Sequence, residues 1–266
     1  MIPVVKAHAY GNDFLFVDEH HAMECDRVKL ARAMCGRHTG IGADGLIFYR
    51  RTPRGAAMRL LNADGSHAEV SGNGVRGLAA VLIDVHQFAP ADGTIRIETE
   101  AGEKSLVLLG REGRRPVFRA AMGQPTSVME QTLDVEGDTL GVITLRVGNP
   151  QCVRLESPLR DDRLRRLGPI LEHHPAFPEG TNVEFAAVEA PDLVRILIWE
   201  RGVGPTMSSG TGACAAAVAA AAFGGANRDV QVISPGGSQR VEWREDGLFL
   251  TGWAEVVLRG EWTVQS

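Results

Sequence analysis

At 266 residues, with 44% hydrophobic and 23% charged side chains, the chain has the make-up of a globular protein with one large or two modest cores. A formal charge of −5 argues against nucleic acid as the main partner, because a surface that tracks phosphates needs a basic excess. No run has the apolar length of a membrane span, and the N-terminus lacks a signal-peptide layout. The four cysteines (Cys25, Cys35, Cys152, Cys214) match no zinc or disulfide framework, so a reduced, cytoplasmic setting is expected.

In chain order, "YGNDFLFVDE" (10–19) sets a Gly-Asn pair before a strand-like run. Gly40-x-Gly42-x-x-Gly45 matches a dinucleotide-binding fingerprint, but it runs into "LIFYR", a strand pattern, so no helix follows to hold a pyrophosphate. "SGNGVRGLAAV" (71–81) is a Ser-Gly-x-Gly opening into an apolar, small-residue helix. "TIRIETEAGEKSLVLL" (94–109) reads as strand, glycine turn, strand. Charge, glycine and proline then cluster in "REGRRPVFRAAMGQP", which places a domain boundary near 115–125. "VGNPQCVRLE" (147–156) brings back the Gly-Asn pair. Arg163-Leu164-Arg165-Arg166 reads as solvated surface. "SGTGACAAAVA" (209–219) brings back the Ser-Gly-x-Gly helix opening, and "VQVISPGGSQRVEW" (230–243) a strand, turn and strand.

These three pairs recur in the same order at offsets of 137, 138 and about 136 residues, which predicts a duplicated architecture. The expected fold is α/β (α+β), with two similar domains, each a strongly bent sheet around one central helix. The expected domains are 1–118, joined by the C-terminal strand 255–266, and 119–254.

Both copies put glycines at a helix start. Such a start offers unpaired N–H groups and about half a positive charge, so it binds anions without cationic side chains. Glycine lets a ligand reach the backbone. If the two domains face each other, a carboxylate held at both helix starts has its Cα flanked by Ser71 and Ser209. That is the geometry of two-base proton exchange, with one base removing the α-proton while the other delivers one from behind. This chemistry requires neither metal nor pyridoxal phosphate.

Having these residues, the chain resembles the diaminopimelate epimerases. The likeness runs through "HAYGNDF" (8–14), "RHTGIGADGL" (37–46), "NADGS" (62–66), "SGNGVR" (71–76), "VGNPQCV" (147–153), "GTNVEF" (180–185) and "WERGVGPTMSSGTGACA" (199–215). The resemblance implies two bent, mostly antiparallel sheets or open barrels, each around a central helix. It also implies cofactor-independent epimerisation of an amino-acid α-carbon, a place in lysine biosynthesis, and a homodimer. Carried over by motif, Asn62, Asn182, Glu200 and Arg201 would hold the non-reacting end of the amino acid. Asn12 and Asn149 would line the reacting end, and Gly72-Asn73 with Gly210-Thr211 would cup its carboxylate. Glu200 beside Arg201 suits a zwitterion, meeting an ammonium and a carboxylate respectively.

The catalytic positions depart from the family pattern. Where Ser71 and Ser209 stand, the family has the two cysteine bases; where Gln151 and Pro205 stand, it has histidine and glutamate. A cysteine of pKa about 8.5 drops further at a helix N-terminus and yields a thiolate near neutrality. A serine is a far weaker acid, and a helix contribution of up to about 2 kcal/mol does not make an alkoxide at pH 7. A serine base needs a neighbouring general base, for which His67 and Glu69 are the nearest candidates. Cys214 falls inside the second helix and reads as packing. Three functions stay open: an amino-acid epimerase, a same-fold isomerase or lyase of another small carboxylic acid, and a non-catalytic amino-acid binder.

Overall fold

The computed structural model describes residues 1–68 and 71–263. The chain clusters into two compact units, residues 1–120 with the segment from 253 onward, and residues 121–252. Among the described residues, no helix is long and apolar enough to cross a membrane.

The first unit opens with β1 (Ile2–Ala9) and β2 (Asn12–Asp18), an antiparallel hairpin. Its turn needs φ of 89° at Gly11, a left-handed value that glycine takes without a Cβ clash. After a 3-10 turn come α1 (Arg27–Cys35), β3 (Gly45–Thr52), β4 (Gly55–Asn62) and β5 (His67–Ala68). Then follow α2 (Gly72–Asp84), β6 (Thr94–Thr99), β7 (Gly102–Glu112) and β8 (Arg115–Gly123). β2 pairs with β3 and β4 with β6 in parallel, whereas β3–β4, β4–β5, β6–β7 and β7–β8 are antiparallel.

The second unit repeats this plan. β9 (Thr126–Val135) leads into β10 (Asp138–Val147), β11 (Asn149–Leu155), α3 (Asp161–Glu172), β12 (Asn182–Ala190), β13 (Leu193–Glu200) and β14 (Gly204–Thr206). α4 (Gly210–Phe223) precedes β15 (Asp229–Ser234), β16 (Gly237–Arg244) and β17 (Gly247–Trp253). β11–β12 and β13–β15 are the parallel pairs, in the same places as β2–β3 and β4–β6. β10–β11, β12–β13, β13–β14, β15–β16 and β16–β17 are antiparallel. The β10–β11 turn again carries a left-handed glycine, Gly148 at φ 76°. A last strand, β18 (Glu255–Trp262), leaves the second unit and pairs antiparallel with β1, as β9 pairs with β10. Most of the segment that the sequence marks as a boundary, 115–125, lies in a strand, β8.

In each unit the strands wrap a central helix, as expected for this α/β class. α4 is "GTGACAAAVAAAAF", with eight of its 14 residues alanine, which has the best helix propensity and a side chain small enough for strands to approach on every side. It packs against β10, β11, β12, β13, β15 and β16, and Ala213–Ala220 are buried throughout. α2 does the same in the first unit against β1, β2, β6, β7 and β18. Cys214, fully buried in α4, belongs to this packing. Two further helices, α1 and α3, were not read from the sequence. α3 covers β12 and β13 with Leu164, Leu167 and Leu171, while its arginines point outward to Glu156, Asp161 and Glu136.

Candidate active site

The two serines occupy equivalent positions. Ser71 caps α2 with φ −128° and ψ 123°, and its Oγ accepts the Gly74 N–H at 3.1 Å. Ser209 caps α4 with φ −133° and ψ 126°, and its Oγ accepts the Gly212 N–H at 3.2 Å. Each hydroxyl therefore neutralises one orphan donor of its helix, the usual work of an N-cap. Gly72 and Gly210 are the first residues of the two helices, where backbone N–H groups lack helical partners.

In the first unit, the structure joins Asn12 to Asn73. Asn73 Nδ2 donates to Asn12 Oδ1 at 3.1 Å, and Asn73 Oδ1 accepts from the buried Arg76 guanidinium. Asn12 Nδ2 in turn donates to Asp44 Oδ2 at 2.7 Å, which settles the orientation of the Asn12 amide. Asp44 belongs to a network in which Lys6 and Arg37 meet Asp13 at 2.7 and 3.1 Å and Arg37 meets Asp44 at 2.7 Å. Burial alone would raise Asp13, but hydrogen bonds from Lys6 and Arg37 outweigh it and hold its carboxyl below the ordinary value. Burial and the adjacent Asp13 charge push Asp44 the other way. Asn62, at the end of β4, pairs in register with Gly45, the neighbour of Asp44, and donates to Ser66 Oγ at 2.9 Å. His67 pairs with Glu100 at 2.6 Å on a largely exposed strand, and Glu69 lies outside the described residues.

In the second unit, more of the expected residues converge. Alternate residues of a strand share a face, so Asn149 and Gln151 of β11 lie on one face, as do Asn182 and Glu184 of β12; Gln151 pairs in register with Asn182. Asn182 Oδ1 accepts the Arg201 N–H at 2.9 Å, so its amide nitrogen faces Gln151. The Gln151 carbonyl oxygen consequently accepts from Asn182 Nδ2 at 3.1 Å and from Thr211 Oγ1 at 3.2 Å. Its nitrogen donates to Glu184 Oε1 at 3.0 Å and Oε2 at 3.3 Å. Asn149 Oδ1 lies 2.5 Å from the same oxygen, so the Asn149 amide turns as well and presents its NH2 there, and Thr211 Oγ1 is 3.5 Å from Ser209 Oγ.

The Glu200-Arg201 pair sits on a turn that is tied at successive N–H groups, by Asn182 at Arg201 and by Glu172 Oε1 at Gly202, 2.8 Å. Glu200 Oε1 accepts from Thr206 Oγ1 at 2.7 Å, and the Arg201 guanidinium is exposed, with Nη1 on the Glu179 carbonyl at 2.7 Å. Pro205 is exposed on β14, opposite Trp199, whereas Gln151 is buried and bonded to Asn182 and Thr211.

Three supporting residues escaped the sequence reading: Asp44, Glu172 and Glu184. Glu172 closes α3, and besides Gly202 it accepts from the Trp199 indole Nε1 at 2.7 Å. A Glu172→Ala variant is expected to lose about 1–3 kcal/mol of stability, because the Trp199 N–H is left without its acceptor. Urea unfolding followed by tryptophan emission measures this, and an unchanged midpoint would remove Glu172 from the account.

The diaminopimelate epimerase family model matches residues 4–128 and 143–257. A diaminopimelate epimerase from Desulfitobacterium hafniense is 38% identical over 275 residues, covering 97% of this chain and 96% of its own. One from Synechococcus elongatus is 40% identical over 271 residues, covering 96% of each. Among solved structures, a probable proline racemase from Agrobacterium radiobacter superposes with a TM-score of 0.75 at 17% identity, covering all of this chain and 94% of its own. A hydroxyproline epimerase from Agrobacterium vitis gives 0.73 at 17% identity, over 97% of this chain and 91% of that one. These two show likeness of fold. On the family match and the extent of the identities, this chain belongs to the diaminopimelate epimerase family.

Proposed function

We propose that this protein is an amino-acid epimerase of the diaminopimelate type, an isomerase that works without a cofactor on a free small-molecule amino acid or dicarboxylate. The observation that carries this reading is the pair of serine-capped helix starts, alike to within a few degrees of backbone torsion, in a chain of this family. In this reading the substrate carboxylate is taken by N–H groups of the first helical turns, at Gly72-Asn73 and at Gly210-Thr211, where the helix fields also favour the negative charge that develops as the α-proton leaves. Asn12 and Asn149 contact the reacting end. Asn62, Asn182, Glu200 and Arg201 hold the distal amino and carboxylate groups, with Arg201 as the cation and Glu200 as the anion. Ser71 and Ser209 stand beside the reacting carbon. Family likeness supports a homodimer in the cytoplasm.

A second reading rests on the hydroxyls themselves. Each serine Oγ already accepts a helix N–H, and the group beneath Ser209 and Thr211 is the Gln151 amide, which takes no proton. This arrangement suits a binder, or an isomerase of a different small carboxylic acid with a more acidic carbon. Incubation with L,L- or meso-diaminopimelate in D2O, followed by NMR of the α-proton, separates the readings. Epimerisation replaces that proton with deuterium at an enzyme-like rate. Binding without exchange transfers the assignment to the second reading, and the absence of both binding and exchange refutes both.

A further inference from the structure

Glu184 is the third residue of β12, fully buried, and among the described residues it makes no salt bridge with a lysine, arginine or histidine. Burial, and then the charge of Glu200 on β13, push its carboxyl well above the ordinary range. Its place is under the first turn of α4. A Cβ added at Gly212 would lie 2.6 Å from Glu184 Oε1 and 3.2 Å from Ser209 Cβ, so the missing side chain is what admits the carboxyl to that turn.

We propose that Glu184 is a positioning residue for the α4 half of the site, fixing the Gln151 amide and through it Thr211 and Asn182. The two ends of an amide have nearly the same shape, and an unanchored glutamine presents either one. With the Glu184 oxygens at 3.0 and 3.3 Å, the NH2 end turns inward and the carbonyl outward. The reverse orientation keeps a bond from the NH2 to Asn149 Oδ1, but it sets that NH2 against the Asn182 NH2 and the Gln151 oxygen against the Glu184 oxygens. The outward carbonyl then takes the Thr211 hydroxyl proton and one Asn182 N–H. Thr211 is thereby held at the helix start that receives the carboxylate, and Asn182 against the Arg201 backbone. The geometry of Gln151 stands on its own; only the identity of the ligand rests on the function proposed above.

The test uses E184Q, E184A and G212A in the full chain. A glutamine at 184 still accepts from Gln151 and should bind meso-diaminopimelate within about threefold of wild type by calorimetry. E184A leaves a buried N–H pair unmatched and should bind about tenfold or more weakly. G212A displaces the carboxyl and should behave as E184A does, with the double variant no worse than either single one. If turnover is measurable, the E184A loss falls on KM more than on kcat. Independently of any ligand, 15N NMR should find the wild-type Gln151 NH2 exchanging slowly with solvent. Fast exchange of that amide overturns the proposal, as does an E184Q defect as large as that of E184A, or wild-type affinity in E184A. A wild type that binds no diaminopimelate refutes the function reading instead, and the NMR result still decides the role of Glu184.

Discussion

An S71C thiol is expected to titrate at least about one pKa unit below an S209C thiol, although the two caps are near copies. Both positions offer the same help, one glycine N–H and the positive end of a helix. What differs is the surroundings. Ser71 is half-buried, and the Arg76 guanidinium lies in the same helix, bonded to Asn73 near its start. Ser209 is only 4% exposed and shares the first turn of α4 with the Glu184 carboxyl. The native thiols show the direction of such effects. Burial, with Asp13 and Asp44 adding to it, pushes Cys35 up to about 12, and burial with Glu184 raises Cys152 as well. Peptide-resolved alkylation across a pH series gives both values in the presence of the four natural cysteines. The opposite order would mean that the helix field outweighs burial at α4. If the order holds, restoring both thiols supplies one ready base, and α-proton exchange in the double variant gains little over wild type.

The second large effect comes from Gly168 in α3. A Cβ there would lie 2.6–2.8 Å from Cδ2, Cε3 and Cγ of the Trp199 indole, closer than packed atoms come. Gly168→Ala must therefore move the helix or the ring, an overpacking that costs about 1–3 kcal/mol. Each kcal/mol corresponds to about 2–4 °C in Tm for a chain of this size. The ring is also tied through Nε1 to Glu172, which holds the Gly202 N–H, and Trp199 directly precedes Glu200 and Arg201. A shift of the indole thus reaches the turn that carries the proposed clamp, and ligand affinity should fall along with Tm. Differential scanning and titration calorimetry on the same preparation check the pair. A lower Tm with unchanged affinity would show that the turn is supported by something other than Trp199.

What was legible in the sequence was local and repeated. A Ser-Gly-x-Gly helix start carries its own cap, and a Gly-Asn turn carries its own left-handed residue, so both copies of each showed up as motifs and at a constant offset. α3 stayed hidden because its buried leucines at 164, 167 and 171 are interleaved with arginines, and the charge masked the helical spacing. Glu172 and Glu184 were invisible for a different reason. A single acid gives no sign of what it meets across a sheet or at the end of a helix. The signal that was available for Glu184 is the two-residue step in "NVEF", which puts Asn182 and Glu184 on one face of a strand. Gln151 and Pro205 carried equal weight as departures from the family pattern, but only the first is buried among the residues expected to bind.

The pairing of β18 with β1 has a consequence for how the chain is made. Synthesis proceeds from the N-terminus, so every strand of the second unit has emerged before the partner of β1 exists. Until then, β1 is paired only with β2 and presents a row of free N–H and C=O groups along its other side. The half begun first is completed last, and its open edge is the nascent chain's most exposed site for mispairing with a neighbour.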